Sequence, residues 1–427
     1  MKKHTLPIRV LDLIIVLSII AAFLFAANRI MLRTDASWEY QPYVEDHEDT
    51  DVIFLGASIV ETGVHPYQLW RDYGITSYNF GTGGFGIKYS YWMFRLSLQY
   101  HVPKVAVLDC LGLARTSDNI CPVSMLHNGF DIFPLNSEKI RSSIDMCPTF
   151  SDRMQLLLPL MVYHTRWSEM TGEDLFGEKE YNQQRGAVFY HGWHASVPQA
   201  QLSRDDVLDL NENREGMVYI RKFIELCREY DIQPVLMFMP FEAQIERQQE
   251  ANTAALLAEE EGVPYLNMLY EDIIDVNTDA CDSNAHLNRA GATKVTDYLG
   301  KTLTQLCGLE DHRSDPAYAH WYEGYDIYWN NVILKDMEEE EDFKTLITML
   351  YDTDLGAYFE TFNNYQFDEN ETALMNQLPY LFGVGAGDPI NNTNDADVRV
   401  HIYSRVTGEE LFIKEFNHGW DETVPKY

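Results

Sequence analysis

Four short apolar runs punctuate the middle of the chain: Asp51-Val52-Ile53-Phe54-Leu55-Gly56, Lys104-Val105-Ala106-Val107-Leu108-Asp109, Pro234-Val235-Leu236-Met237-Phe238-Met239 and Pro264-Tyr265-Leu266-Asn267-Met268. None alternates with polar residues, which is the pattern of strands buried on both faces of a parallel sheet. The segments 216–230 (Met217, Ile220, Phe223, Ile224, Cys227) and 243–261 lie between runs and carry helical spacing. Strands alternating with helices predict βαβ units, right-handed crossovers and an α/β sandwich. Chemistry in such a sheet gathers beyond the carboxyl ends of the strands, where Ser58 and Asp109 fall.

A different apolar pattern opens the chain. Lys2, Lys3 and Arg9 precede a run from Val10 to Ala27 broken only by Asp12 and Ser18. At about 18 residues it is near the minimum for a bilayer span. A cleaved signal peptide needs small residues at −1 and −3, but ending at Ala27 puts Phe25 at −3 and ending at Ala26 puts Leu24 there. The run is therefore read as an uncleaved signal anchor, with a cleaved signal and a buried core helix as alternatives. Positive charge ahead of it predicts a cytoplasmic N-terminus and an extracellular remainder, a bias that Arg29 and Arg33 weaken.

The pattern divides the chain into a stub and anchor (1–33), a polar linker (34–50), an α/β domain (51–307), a connector (308–335) and a small α+β domain (336–427). Residues 115–210 show irregular spacing and many aromatics, and read as an insertion that walls the cleft. Tyr318, Trp321, Tyr322, Tyr325, Tyr328 and Trp329 share one helix face, a packing face by its spacing. The acidic run 336–342 reads as a solvated linker, and Phe343–Tyr351 as a strand or short helix. Residues 398–403 and 410–414 flank Thr407-Gly408 as a hairpin.

Charge narrows the partners. The 427 residues include 66 acidic and 32 basic ones, a net −34. Such a surface repels phosphate backbones, which excludes sequence-independent nucleic-acid binding, and it opposes charge-driven attachment to anionic lipid. The six cysteines are too few for a disulfide scaffold; Cys110 and Cys121 are near enough in sequence to pair, and six separate small hydrophobes is the other reading. No C-x-x-C, His-rich tract or H-E-x-x-H appears, so no metal or other cofactor is called for.

The candidate chemistry begins at Gly56-Ala57-Ser58, followed by Gly63. A serine on a tight turn after a buried strand exposes its hydroxyl, and the preceding glycine permits the turn; a helix N-cap is the competing role. Downstream, Asn79-Phe80-Gly81-Thr82-Gly83-Gly84 places glycines after a second short strand, where backbone N–H groups can approach an oxyanion. Asp282-Ser283-Asn284-Ala285-His286-Leu287-Asn288 then leads into a helix predicted over 289–306. A histidine on such a loop, with a carboxylate a few residues before it, suits a general base and its orienting partner.

Taken in order, these blocks resemble the SGNH (GDSL-type) hydrolase superfamily, and more narrowly the membrane-anchored SGNH proteins of Gram-positive bacteria related to the D-alanyl-lipoteichoic acid biosynthesis protein DltD. Pro66-Tyr67-Gln68-Leu69-Trp70, Tyr73-Gly74-Ile75 and Lys294-Val295-Thr296-Asp297-Tyr298-Leu299-Gly300 add to the likeness, which spans roughly residues 48 to 306. It implies a flavodoxin-like three-layer α/β/α sandwich, Ser58 as nucleophile, His286 as base, and Ser58 and Gly84 N–H groups as the oxyanion hole. Ala57 stands where the family commonly has an acid. Asp282 lies four residues before His286 where three is usual, which makes it the first choice of orienting carboxylate and Asp279 the second. The family's G-x-N-D block is missing; Leu108-Asp109-Cys110-Leu111-Gly112 occupies its place.

The combined expectation is a membrane-anchored, extracytoplasmic serine esterase acting on acyl groups of cell-envelope glycans, with a membrane-bound acyltransferase as candidate partner. An O-acyltransferase using the same residues and a non-catalytic assembly or carrier-binding factor are the alternatives.

Overall fold

The structure, a computed structural model, describes residues 5–31, 39–45, 50–115, 121–172, 182–196, 199–209, 214–283, 286–392 and 394–417. The apolar runs form β1 (Val52–Gly56), β3 (Val105–Asp109), β4 (Gln233–Phe238) and β5 (Tyr265–Asn267), with β2 at Ser77–Gly81. All five pair in parallel in the order β2-β1-β3-β4-β5. This is the flavodoxin-like order, whose winding reverses between β1 and β3 and opens a crevice there.

β1, β2 and β3, and the last four residues of β4, are buried on both faces because helices cover both. Val52, Phe54, Val105, Val107 and Met237 pack on one side with Ile59, Leu69 and Val295, from the helices Ser58–Gly63, Pro66–Tyr73 and Arg289–Cys307. Ile53, Leu55, Ala106 and Leu236 pack on the other with Met93, Phe223 and Leu257, from Ile87–Ser97, Glu215–Glu229 and Ile245–Glu261. The last helix shares its face with the two that follow β1: His65 N–H donates to Thr296 Oγ1 at 3.1 Å, and Gln68 Nε2 donates to the Thr293 carbonyl at 2.9 Å. Its N-terminal loop is thereby carried back to the end of β1.

Thr5–Met31 is one helix, and its Val10–Asn28 stretch, with mean hydropathy 2.8 and no burial, is long and apolar enough to cross a membrane. Its carboxyl end is tied to the insertion: Asn28 Oδ1 accepts the Leu160 N–H at 2.8 Å, and Arg166 donates to the Met31 carbonyl at 3.0 Å.

Three segments differ from the sequence expectation. Within 34–50, residues 41–45 form a helical turn rather than open linker, and Tyr40 and Tyr43 are buried against Phe80. The insertion contains helices at Val123–Phe130, Ser137–Met146 and Phe150–Leu157. The acidic run is only briefly free: Lys335–Glu339 is helical with Met337 buried, and Asp342 caps Phe343–Met349 by accepting the Thr345 N–H at 2.8 Å.

A second sheet, β6 (Leu355–Thr361), β7 (Leu381–Ala386), β8 (Val398–Ser404) and β9 (Glu410–Phe416), runs β7-β6-β8-β9. Pairs β6–β8 and β8–β9 are antiparallel; β6 and β7 are parallel, joined through the helix Glu369–Asn376. The aromatic stripe packs as its spacing predicts, with Trp321 5.4 Å from Trp70 and Tyr328 5.2 Å from Tyr67 between ring centroids. The six cysteines are unpaired.

Candidate active site

Gly56 ends β1 where a side chain does not fit: a Cβ there would stand 2.4 Å from Val60 Cγ2 and 3.0 Å from Asp109 Cβ. The chain turns at once into the helix Ser58–Gly63, leaving Ser58 in its first turn and partly exposed. N–H groups of a first helical turn have no intrahelical acceptor, so the Ser58 N–H is available to a ligand.

Asn79, in β2 and wholly buried, fixes this helix from the side. Its Nδ2 donates to the Val60 and Val64 carbonyls at 2.8 Å each, and its Oδ1 accepts the Gly81 N–H at 2.8 Å. Gly81 lets the strand come close, since a Cβ there would lie 2.2 Å from the Glu61 nitrogen. The following loop is tethered by Thr82 N–H to the Gly56 carbonyl at 3.1 Å. Phe85 N–H closes a turn on the Thr82 carbonyl at 3.0 Å with Gly84 at φ +78°, the mark of a type II turn. Gly84 is exposed on this loop, whereas the Gly83 N–H is committed to the Glu61 carboxyl.

The loop before the last helix is pinned at both ends. Cys281 N–H donates to the His286 carbonyl at 3.0 Å, Asn288 N–H to the Asp279 carbonyl at 2.9 Å, and Asn288 Oδ1 caps the helix at Gly291 N–H. Inside it, Asp282 reaches back to His286 twice, through the backbone N–H (3.4 Å) and ring Nδ1 (Oδ2, 2.8 Å). His286 Nε2 stands 2.8 Å from Ser58 Oγ. Ser58, His286 and Asp282 thus form one hydrogen-bonded chain across 228 residues of sequence. In the tautomer that serves both contacts, Nδ1–H donates to Asp282 and Nε2 accepts the Ser58 O–H. The four-residue spacing is accommodated because the loop closes on itself.

Asp279 is placed elsewhere. Its buried carboxylate takes Lys294 Nζ at 2.7 and 2.8 Å and the Asp275 N–H at 2.7 Å, so it anchors the last helix rather than the imidazole. Asp109, at the end of β3, accepts the Met239 N–H at 3.2 Å, and burial pushes its carboxyl up to about 7. It does not replace the missing asparagine as an amide donor. Asn284 lies outside the described residues.

Three neighbours carried no separate signal in the sequence. Tyr190, within 115–210, sets its ring edge-on to His286 at 4.9 Å. Glu61, on the Ser58 helix, and Glu39 hydrogen-bond to each other beside it. Among the described residues, no group of three or more histidine, cysteine or acidic side chains is arranged to hold a metal ion.

No family model matches the chain, and neither does any curated protein. Solved structures similar to part of it include a protein assigned as an acylhydrolase from Bacteroides fragilis (12% identity, covering 63% of this chain and 97% of that one, TM-score 0.31). Others are a GDSL-like lipase from Bacteroides thetaiotaomicron (10% identity, 65% and 98%, TM-score 0.29) and an acetyl xylan esterase from Butyrivibrio proteoclasticus (10% identity, 61% and 64%, TM-score 0.27). At these TM-scores the site rests on the sheet order and side-chain geometry of this chain alone.

Proposed function

We propose that the protein is an SGNH-type serine esterase, held at the membrane by its N-terminal helix, that removes acyl groups from cell-envelope glycans on the extracellular side. The hydrogen-bonded chain Ser58–His286–Asp282 carries this reading. Ser58 Oγ attacks the acyl carbonyl while its proton passes to His286 Nε2. Asp282 holds the ring through Nδ1–H and stabilises the imidazolium. The Ser58 and Gly84 N–H groups face the oxyanion of the tetrahedral intermediate. Collapse expels the sugar oxygen, which takes the proton from Nε2 and leaves an acyl-serine. Water, deprotonated by the same imidazole, then attacks the acyl-serine; the C–Oγ bond breaks, Ser58 Oγ recovers the proton from Nε2, and the carboxylic acid is released.

An acceptor hydroxyl in place of that water would make the enzyme an O-acyltransferase with the same residues, and a membrane-bound acyl donor would be its partner. A hole of two donors rather than three typically costs about 10²–10³ in rate, which favours a specialised enzyme over a broad lipase. The test is covalent labelling by a serine-directed fluorophosphonate. The full chain should be labelled at Ser58 and the Ser58→Ala chain should not; absence of label from the folded wild type would leave the non-catalytic reading.

A further inference from the structure

A cavity of about 850 Å³ lies between the N-terminal helix and the segments around Phe133 and Leu158. Ala21, Leu24, Phe25 and Asn28 border it, at the 0, 3, 4 and 7 spacing of one helix face, in the last two turns of the apolar stretch Val10–Asn28. Leu135, Leu158 and Met161 border it from the other side. The Asn28–Leu160 and Arg166–Met31 hydrogen bonds tie the two walls together and so fix the height of the cavity along the helix.

That height lies within a bilayer, a step that rests on reading the helix as the membrane anchor. The 19 residues of Val10–Asn28 rise about 28 Å, close to the hydrocarbon thickness, so Ala21 to Asn28 occupy the roughly 10 Å nearest the folded domain. The facing segment suits that depth. From Met154 to Thr165 it has no Asp, Glu, Lys or Arg, in a chain that is 23% charged. Leu135, Leu158 and Met161 are exposed there, a cluster that costs free energy in water and none in lipid.

The polar side chains around the cavity are already engaged within the protein: Asn28 by the Leu160 N–H, Gln41 by Glu45, Asp131 by His127, Lys139 by the Phe133 carbonyl and His164 by the Met161 carbonyl. A sugar or a phosphate would meet partners that are taken, whereas an alkyl chain needs none. The volume falls within the roughly 300–1,000 Å³ of ligand pockets. We infer that an acyl chain of a bilayer lipid fills this cavity, and that Leu135, Leu158 and Met161 make a second membrane contact beside the anchor. Continuity selects this occupant: the helix that forms one wall runs on into the bilayer, where lipid tails reach the same depth. Tyr163, two residues after Met161, borders a second cavity together with Glu61 of the Ser58 helix, so the contact sets the height of the Ser58 turn above the membrane.

The test places a nitroxide on the full-length chain in vesicles of palmitoyl-oleoyl phosphatidylcholine. Cys281→Ser and Cys307→Ser silence the two partly exposed thiols, and the label is carried in turn by Leu135→Cys, Leu158→Cys, Phe23→Cys and Val406→Cys, all at exposed positions. Phe23, within the apolar stretch, is the lipid reference and Val406, in the β8–β9 turn, the water reference. Oxygen dissolves in hydrocarbon and a nickel chelate stays in water, so the oxygen-to-nickel collision ratio at Leu135 and Leu158 should match that at Phe23 and exceed that at Val406 roughly tenfold. Leu135 and Leu158 reading as water while Phe23 reads as lipid would overturn the inference and leave the anchor standing. Water at Phe23 as well would remove the anchor reading, and the inference with it. Protection of Leu135 and Leu158 from both reagents would also overturn it, because in vesicles holding this protein alone it would mean that a second copy fills the groove.

Discussion

The Asn79 side-chain amide donates to the Val64 carbonyl at 2.8 Å, joining the middle of β2 to the far end of the helix that begins with Ser58. A second bond to the Val60 carbonyl and acceptance of the Gly81 N–H make Asn79 the brace of the nucleophile turn. Asn79→Ala should therefore lower stability by about 1–3 kcal/mol for each buried partner left unmet. The denaturant midpoint should fall, and ester turnover should fall with it even in the folded fraction.

Gly81→Ala tests the approach from the other side. Its Cβ would meet the Glu61 nitrogen at 2.2 Å and Glu61 Cα at 2.6 Å, both backbone atoms that yield only by moving the helix. A loss of about 1–3 kcal/mol is expected, seen as a lower thermal midpoint, together with loss of turnover. Wild-type activity in this variant would show that the helix position does not govern the site.

Asp352, just ahead of β6, ties the second domain to the helices Pro66–Tyr73 and Arg289–Cys307, receiving Arg71 Nη1 at 2.7 Å and Arg289 Nη2 at 3.3 Å while buried. Burial alone would raise its carboxyl, but Arg71 and Arg289 outweigh it and hold the group below the usual range. The folded state then binds fewer protons than the unfolded one, so this contribution is present above about pH 4 and lost as pH falls through the folded value. Asp352→Asn should cost about 3 kcal/mol at pH 7, the lower end for a broken buried pair, because Asp72 still holds Arg71 at 2.7 Å. Unfolding followed from pH 7 to pH 3 should show the gap to wild type narrowing.

The parts most legible in the sequence are those where one physical demand dominates. β1, β3 and β4 are buried on both faces and so read as unbroken apolar runs. The helices of the insertion are less legible because polar residues share their buried faces. In Ser137–Met146 the buried residues include Lys139, Ser142 and Ser143, with Lys139 Nζ satisfied by the Phe133 carbonyl at 2.7 Å. β7 carries little signal for a related reason: it is Leu381-Phe382-Gly383-Val384-Gly385-Ala386, with Phe382 and Val384 exposed and glycines at two positions. At the site, Ser58 and His286 were marked by their place after strands. The choice between Asp282 and Asp279 needed coordinates, because it depends on which carboxylate the loop turns inward and which Lys294 claims.

Glu61 gives a pH signature opposite to that of Asp352. Its raised carboxyl keeps a proton in the folded state that the unfolded chain releases above about pH 4.3. The folded state therefore binds more protons, and stability falls as pH rises from there toward the folded value, by at most about 1.4 kcal/mol per pH unit. Glu61→Gln removes that term. Thermal midpoints of wild type and variant should lie closest near pH 5 and diverge towards pH 8 in favour of the variant. Parallel curves would mean that Glu61 is ionised in the folded protein.

The most direct measurement of the central claim is turnover of one acetylated substrate by Ser58→Ala, His286→Ala and Asp282→Asn, alongside their thermal midpoints. Because nucleophile and base act as one unit, the first two variants should lose turnover by several orders of magnitude and to a similar extent, with midpoints near wild type. Asp282→Asn should lose less but clearly, since Asp282 holds His286 through Nδ1 at 2.8 Å. Wild-type turnover in Ser58→Ala, or a loss explained by unfolding, would contradict the account.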